Sequence, residues 1–481
     1  MNISSDPRRL ALLCDFYELT MAGGYFRCGL KDKISYFDVF YRRNPDGGGY
    51  AIATGLEQII DYVRSLHFDD DDIAYLRGRG IFGEDFLTYL RNFKFTGDIW
   101  AVTEGTVIFP DEPIMIVRAP AIEAQFIETF ILLTVNHQTL IATKASRIVR
   151  AADGRPVSEF GARRAHGADA ALYGARAAYI GGCSSTSCTI ADAKFGVMAS
   201  GTMAHSWVQM FDSEYESFKT YCELYPDKPT LLVDTYSVLS SGVPNAIAAF
   251  TEVLTPLGLK ECAIRLDSGD ITDLSKKARA MLDAAGFYEC KIVASNSLDE
   301  YTIRDMLRDG AQIDVFGVGE RLITAKSDPV FGGVYKLAAV ENDGVIVPKI
   351  KISENAGKIT NPHFKTVYRI ISNETGKAEA DVVCVHGESI DETAPLEICD
   401  PDSAEYRTIV NFTAVPLLTR IFKSGECVYD SPSVSEMRAN TEMSLTQMRD
   451  DVLRLDNPRE HNVMLSLKLR DVKERLLKEN L

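Results

Sequence analysis

Between about residue 126 and residue 350 the chain repeats one pattern: a short apolar run, a polar or glycine-rich tip, then often an amphipathic helix. The runs are VSEFG, TLLVDTYS, ECAIRLDSGD, CKIVASNS and IDVFGVG. A helix closed by Gly286, ITDLSKKARAMLDAAGF, lies between RLDSGD and IVASNS. Another, DEYTIRDMLRDGAQ, ends near Gly310 before VFGVG. Short buried strands alternating with helices imply parallel βαβ units. Each run finishes in a group able to touch a ligand: Arg163, Asp234, Asp267, Asn296 and Gly317. That arrangement predicts a β/α barrel, whose active site lies at the carboxyl ends of its strands. A doubly wound sheet competes, but no GxGxxG follows an early strand here.

The flanks differ in texture. Residues 1–125 mix helical periodicity with short strands and predict an N-terminal α/β domain. Leu56, Ile59, Ile60 and Val63 recur at helical spacing, and VTEGTVIFPDEPIMIVRAP reads as a β-hairpin turning at Pro110 to Pro113. The barrel domain is expected over 126–350, and 351–481 as a C-terminal α+β region. In that region KISENAGKITNPHFKTVYRI reads as turns and strands, VSEMRANTEMSLTQMRDDVLRL as a polar helix, and VMLSLKLRDVKERLLKENL as a charged amphipathic helix.

Composition narrows the partners. With 52 Lys and Arg against 68 Asp and Glu, the net charge of −16 argues against nucleic acid and acidic membranes. The longest charge-free apolar run, Thr129 to Thr143, is too short to span a bilayer and contains Asn136, His137 and Gln138. Asp15 and Glu18 interrupt any secretory h-region, and ten Cys show no CxxC and no zinc-finger spacing, so reduced thiols and a cytoplasmic location are expected.

Against this acidic background the strand tips collect Arg163, Arg164, Arg265 and Arg321, which points to an anionic ligand. In EFGARRAHG, adjacent Arg163 and Arg164 suit a phosphate or carboxylate, or a structural ion pair; Phe160 suits a flat ring or the core. The glycine, serine and threonine of YIGGCSSTSCTIADAKFG suit an anion nest or a plain surface turn. His205 in GTMAHS follows the apolar run VMASG, so a strand-tip position is expected, open to nucleophilic or base chemistry. RLDSGD packs Arg265, Asp267, Ser268 and Asp270 together, which suits a ribose, its phosphate and Mg²⁺, or a helix cap. Gly317 and Gly319 offer backbone to a phosphate at a late strand.

The strings DFYELTM, FYRRNPDGGGYAIATGL, EFGARRAHG, AYIGG, GTMAHS, RLDSGD, ASNS and FGVGERLITAKSDPVFGGVYKL occur together and in order. In this the chain resembles the nicotinate phosphoribosyltransferase family across roughly residues 10–340. The resemblance implies the type II phosphoribosyltransferase fold, an irregular α/β barrel whose site is completed across a homodimer. It implies synthesis of nicotinate mononucleotide and diphosphate from nicotinate and 5-phosphoribosyl 1-diphosphate, the first step of NAD synthesis from nicotinate. Mg²⁺ would serve as cofactor and ATP as co-substrate, its hydrolysis coupled through a phosphohistidine at His205.

By the same resemblance Phe160 stacks on the pyridine ring, and Tyr17 of the neighbouring subunit covers the other face. Arg163 meets the carboxylate or the ribose phosphate. Arg265 and Asp267 hold the phosphoribosyl group, with Asn296 beside them, and Gly317 and Gly319 seat the 5′-phosphate. Ser187 stands where related nicotinamide enzymes carry an acid, so no carboxylate repels a nicotinate anion. Cys188 replaces the family's frequent Asn, a departure that bears on loop geometry. Quinolinate or nicotinamide transfer is the competing chemistry, and a non-catalytic barrel the competing class; intact His205, Arg265 and Asp267 argue against the latter.

Overall fold

In the computed structural model, which describes residues 10–354, 358–401, 403 and 405–480, all five apolar runs form strands. They are Val157–Glu159, Thr230–Leu232, Ala263–Leu266, Lys291–Ala294 and Val315–Val318. A sixth strand, Ser185–Thr186, comes from the Ser/Gly-rich stretch that reads as a turn in the sequence. Every pairing is parallel. Across the sheet the strands run 185–186, 157–159, 315–318, 291–294, 263–266, 230–232. Counted along the chain this is second, first, sixth, fifth, fourth, third: the order of a ring opened between its second and third members. The sheet is a half-barrel of the expected irregular β/α kind.

The pleat divides these strands into two faces. Leu231, Ile264, Ile292 and Phe316 are fully buried, and Val157 nearly so. Their neighbours Ser158, Thr230, Ala263, Val293 and Val315 line an interior space instead. The helices Ile271–Ala284 and Glu300–Arg308 start at Asp270 and Asp299, whose carboxylates accept the Asp273 and Thr302 backbone N–H groups. Gly286 and Gly310 follow their ends at φ 86° and 82°, a left-handed conformation that a side chain would strain.

These elements belong to one compact unit, Ile141–Pro329; described residues up to Leu140 and from Val330 onward form the other. The chain passes between the units at 140/141 and 329/330, and the C-terminal region shares a unit with the N-terminal one. That second unit carries a seven-stranded sheet with Ile34–Phe40 between Val334–Asn342 and Met115–Pro120. Its six-stranded sheet places Val463–Ser466 between Leu396–Cys399 and Ala378–Val385.

Two sequence expectations are corrected here. The arms of the expected hairpin do not pair: Met115–Pro120 takes Asp98–Ala101 as its antiparallel partner, while Val107–Ile108 pairs with Ala51–Ile52. Backbone bonds from Asp111 N to Tyr41 O and from Ile114 N to Val39 O draw the Pro-rich turn away. The C-terminal segment is helical only over Leu467–Asn480, because its first four residues form a mostly buried strand. Among the described residues no helix is long and apolar enough to cross a membrane.

Candidate active site

The carboxyl ends of the parallel strands gather a hydrogen-bonded polar cluster. Arg265, on Ala263–Leu266, donates from Nε to Ser295 Oγ at 2.8 Å, from Nη1 to Thr202 Oγ1 at 2.9 Å and from Nη2 to Asp267 Oδ1 at 2.9 Å. Ser295 also donates to Asp267. One guanidinium thus links three loops, and its planar fork is fixed before any ligand arrives. Asp234, after Thr230–Leu232, accepts from the Asp267 N–H at 3.1 Å and from Ser268 Oγ at 2.5 Å. Its Oδ1 is buried without a hydrogen-bond partner among the described residues.

Phe160 follows the Val157–Glu159 strand and lies over Gly317. A Cβ added at Gly317 would fall 2.6 Å from Phe160 Cδ2 and 2.7 Å from Cε2. The Arg265 guanidinium stands 5.8 Å from the centre of the same ring. Gly317 is therefore buried under an aromatic ring, and its missing side chain makes room for that ring. Gly319 is half-buried and caps the short helix Glu320–Ile323.

Glu159 anchors the strand end beside Phe160. Its carboxylate accepts the Thr186 hydroxyl at 2.7 Å and the Gly161 N–H, and its carbonyl accepts the Ser187 N–H at 2.8 Å. Burial pushes the Glu159 carboxyl above its ordinary pKa, opposed by these donors. Ser187 is held by its backbone and its side chain is exposed. Arg163 and Arg164, on the short helix after Phe160, are exposed, with no carboxylate at ion-pair distance among the described residues. Arg164 still acts on Glu320 from a longer distance, helping to hold that carboxyl below its ordinary value after Lys326.

Asn296 and Ser297 lie at φ 92° and 47° after Lys291–Ala294, and Asn296 is exposed at the strand tip. Left-handed backbone at consecutive non-glycine residues is a cost that clusters at binding sites. His205 is not at a strand tip, because the run before it does not extend into a strand; it opens the short helix His205–Gln209. Its Nδ1 meets Thr235 Oγ1 at 3.1 Å, beside Asp234. Arg321 is taken by Asp299 in an ion pair and adds less free charge than its position suggested. Tyr17, in the other unit, lies on the helix Phe16–Arg27 with 44% of its surface exposed. Burial and a hydrogen bond to Glu128 push its phenol well above the ordinary value.

Thr202, Ser295, Thr235 and Asp234's bridging role escape sequence reasoning. The first two sit inside quoted motifs, GTMAHS and ASNS, but isolated hydroxyls carry no spacing signal.

Three family models match in order along the chain: the nicotinate phosphoribosyltransferase (NAPRTase) N-terminal domain over residues 12–136, the NAPRTase family over 156–368, and the C-terminal domain over 364–473. The nicotinate phosphoribosyltransferase of Bacillus subtilis (strain 168) is 43% identical over 95% of this chain and 93% of its own. The chain belongs to the nicotinate phosphoribosyltransferase family. Its human relative of that name is 29% identical over 98% of both chains. The crystal structure of human nicotinic acid phosphoribosyltransferase superposes with a TM-score of 0.85, covering 97% of this chain and all of that one at 28% identity. A nicotinate-nucleotide pyrophosphorylase from Pyrococcus furiosus shares the fold at a TM-score of 0.69, 24% identity, 91% of this chain and 96% of that one.

Proposed function

We propose that this chain transfers the phosphoribosyl group of 5-phosphoribosyl 1-diphosphate to nicotinate, giving nicotinate mononucleotide and diphosphate. The observation that carries the reading is the 43% identity to the Bacillus subtilis enzyme over 95% of the chain. The cluster at the strand ends supports it chemically. Arg265, locked by Asp267, Ser295 and Thr202, presents a preorganised cation to the phosphoribosyl group; Asp267 accepts ribose hydroxyls. Phe160, flat on Gly317, is placed to stack a pyridine ring, and exposed Arg163 to meet its carboxylate or the ribose phosphate. Ser187 leaves that carboxylate unrepelled, and Asn296 and Gly319 complete the phosphate surroundings.

The ring nitrogen forms its bond to the anomeric carbon as the bond to diphosphate breaks. The side chains position the two partners and neutralise charge, and no general base is required because the pyridine nitrogen is unprotonated at neutral pH. Asp234, with one oxygen buried and unpartnered, fits a hard cation beside Asp267. Among the described residues no three acidic, His or Cys side chains gather as a metal cage. A Mg²⁺ ion would thus be held by these two carboxylates with the substrate's phosphates, and would neutralise leaving-group charge.

ATP hydrolysis is coupled through His205. With Nδ1 engaged by Thr235, Nε2 is the nitrogen left to attack the γ-phosphorus, forming an N–P bond as ADP leaves. The active species is a homodimer, with Tyr17 of the partner copy closing the ring site. The test is product formation with nicotinate, nicotinamide and quinolinate in parallel, with and without ATP. Nicotinate should be the preferred base, and His205→Ala should lose nicotinate-dependent ATP hydrolysis while keeping some ATP-independent transfer. Preference for quinolinate overturns the substrate; full ATP coupling in His205→Ala, or γ-phosphate label from ATP found on another residue by peptide mapping at high pH, overturns the phosphohistidine.

A further inference from the structure

The half-barrel is hollow. Filled β/α barrels stack bulky branched side chains in layers along their axis. Here the inward positions are small, with Ser158, Thr230, Ala263, Val293 and Val315 along the wall, and the large apolar residues face the other way. The result is a cavity of about 660 Å³, within the ~300–1,000 Å³ of small-molecule sites. It runs the length of the strands. At the carboxyl end it reaches Phe160 and Thr202; at the amino end it reaches Lys228, Glu261, Tyr288 and Lys291.

We propose that this cavity is the access route and waiting site of the pyridine carboxylate, which reaches Phe160 through the barrel from the amino ends of the strands. The inference rests on the nicotinate reading above. Phe160 borders the cavity, so the ring it would stack is continuous with that space. The phosphoribosyl diphosphate needs Arg265, Asp267 and Ser295 at the opposite, carboxyl mouth. A base arriving after it by that mouth would have to pass its diphosphate, anion against anion. On the far rim Lys228 offsets Glu261 at 2.7 Å and Lys291 offsets Asp314 at 3.5 Å, with Glu289 beside them, so two cations answer three carboxylates and the opposing charge is smaller than that of a bound diphosphate. Small hydroxyl-bearing walls, Ser158, Ser200 and Thr230, can solvate a carboxylate on the way.

Filling the wall away from the reacting groups tests this. Thr230→Phe and Ala263→Phe each narrow the amino half of the barrel, where these two positions pair with each other rather than with Arg265. Either should cut kcat/KM for nicotinate by about tenfold or more, with KM for 5-phosphoribosyl 1-diphosphate changed by less than about twofold. Stopped-flow association of nicotinate with the diphosphate-loaded enzyme should slow by the same factor. Where a variant fails to fold, the wild type serves: a small thiol reagent that mass mapping places on Cys262, buried in the cavity wall, should slow nicotinate association and leave phosphoribosyl diphosphate binding intact. Unchanged nicotinate association in a folded, filled variant or in the Cys262-modified enzyme overturns the route. A wild-type enzyme inactive on nicotinate, yet binding phosphoribosyl diphosphate, overturns the functional reading instead.

Discussion

Phe160 and Gly317 show how one missing side chain shapes a site. The ring rests where a Cβ at 317 would approach it to 2.6 Å, too close for both to stay in place. Gly317→Ala should therefore tilt Phe160 away from the strand and from the Arg265 guanidinium, at a cost of about 1–3 kcal/mol in packing. Steady-state kinetics should show KM for nicotinate raised by about tenfold, with KM for phosphoribosyl diphosphate little changed. The opposite pattern would mean that Gly317 serves the phosphate rather than the ring. The sequence displays this glycine plainly, but a missing side chain does not say what fills its space. The same limit hid Ser295 and Thr202, whose value lies in converging on Arg265 from different loops. Arg265, Asp267 and Phe160 were legible because charge and aromaticity at a strand end stand out from an apolar run.

Elements were legible where periodicity spoke and illegible where pairing decided. Five barrel strands follow from apolar runs, whereas Ser185–Thr186 is a strand of two polar residues held by hydrogen bonding to Val157–Glu159. The false hairpin failed for the same reason, since sequence gives strands and turns but not partners. The helix Phe16–Arg27 offers a test at this scale. Its fully buried Glu18 accepts the Thr129 hydroxyl, and Thr129 also accepts the Asp15 N–H at 3.2 Å. Burial pushes the Glu18 carboxyl up to about 7, with Glu128 and Asp15 adding to the shift and Thr129 opposing it. A carboxyl raised on folding keeps its proton in the native state after the unfolded chain has lost its own. The stability it contributes is complete below about pH 4.5, is lost as pH rises toward 7, and is level beyond. Stabilities of wild type and Glu18→Gln from melting curves should thus diverge by about 3 kcal/mol between those limits. Parallel curves would mean that folding leaves the Glu18 carboxyl at its ordinary value.

At the scale of the whole molecule, a net charge of −16 coexists with exposed Arg163 and Arg164 and a locked Arg265 at one barrel mouth. The acidic exterior and cationic mouth fit an enzyme of small anions. The homodimer is the remaining whole-molecule claim, and Tyr17 makes it testable. On its helix Tyr17, Phe16 and Met21 all stay exposed within one copy, a cluster of apolar surface suited to cover by a second. If Tyr17 closes the ring site of the partner, each site draws Tyr17 from one chain and Arg265 from the other. Tyr17→Ala and Arg265→Ala should each be inactive or nearly so as homodimers. Mixed and allowed to exchange, half of the dimers become heterodimers; each carries one site with both residues and one with neither. Activity should recover to about a quarter of wild type. Native mass spectrometry checks that heterodimers have formed. Recovery fails if both residues serve a site within one chain, because every site in the mixture then lacks one of them. An unrecovered mixture with verified heterodimers therefore removes Tyr17 from the partner's site, while leaving the roles of Arg265 and Phe160 to their own tests.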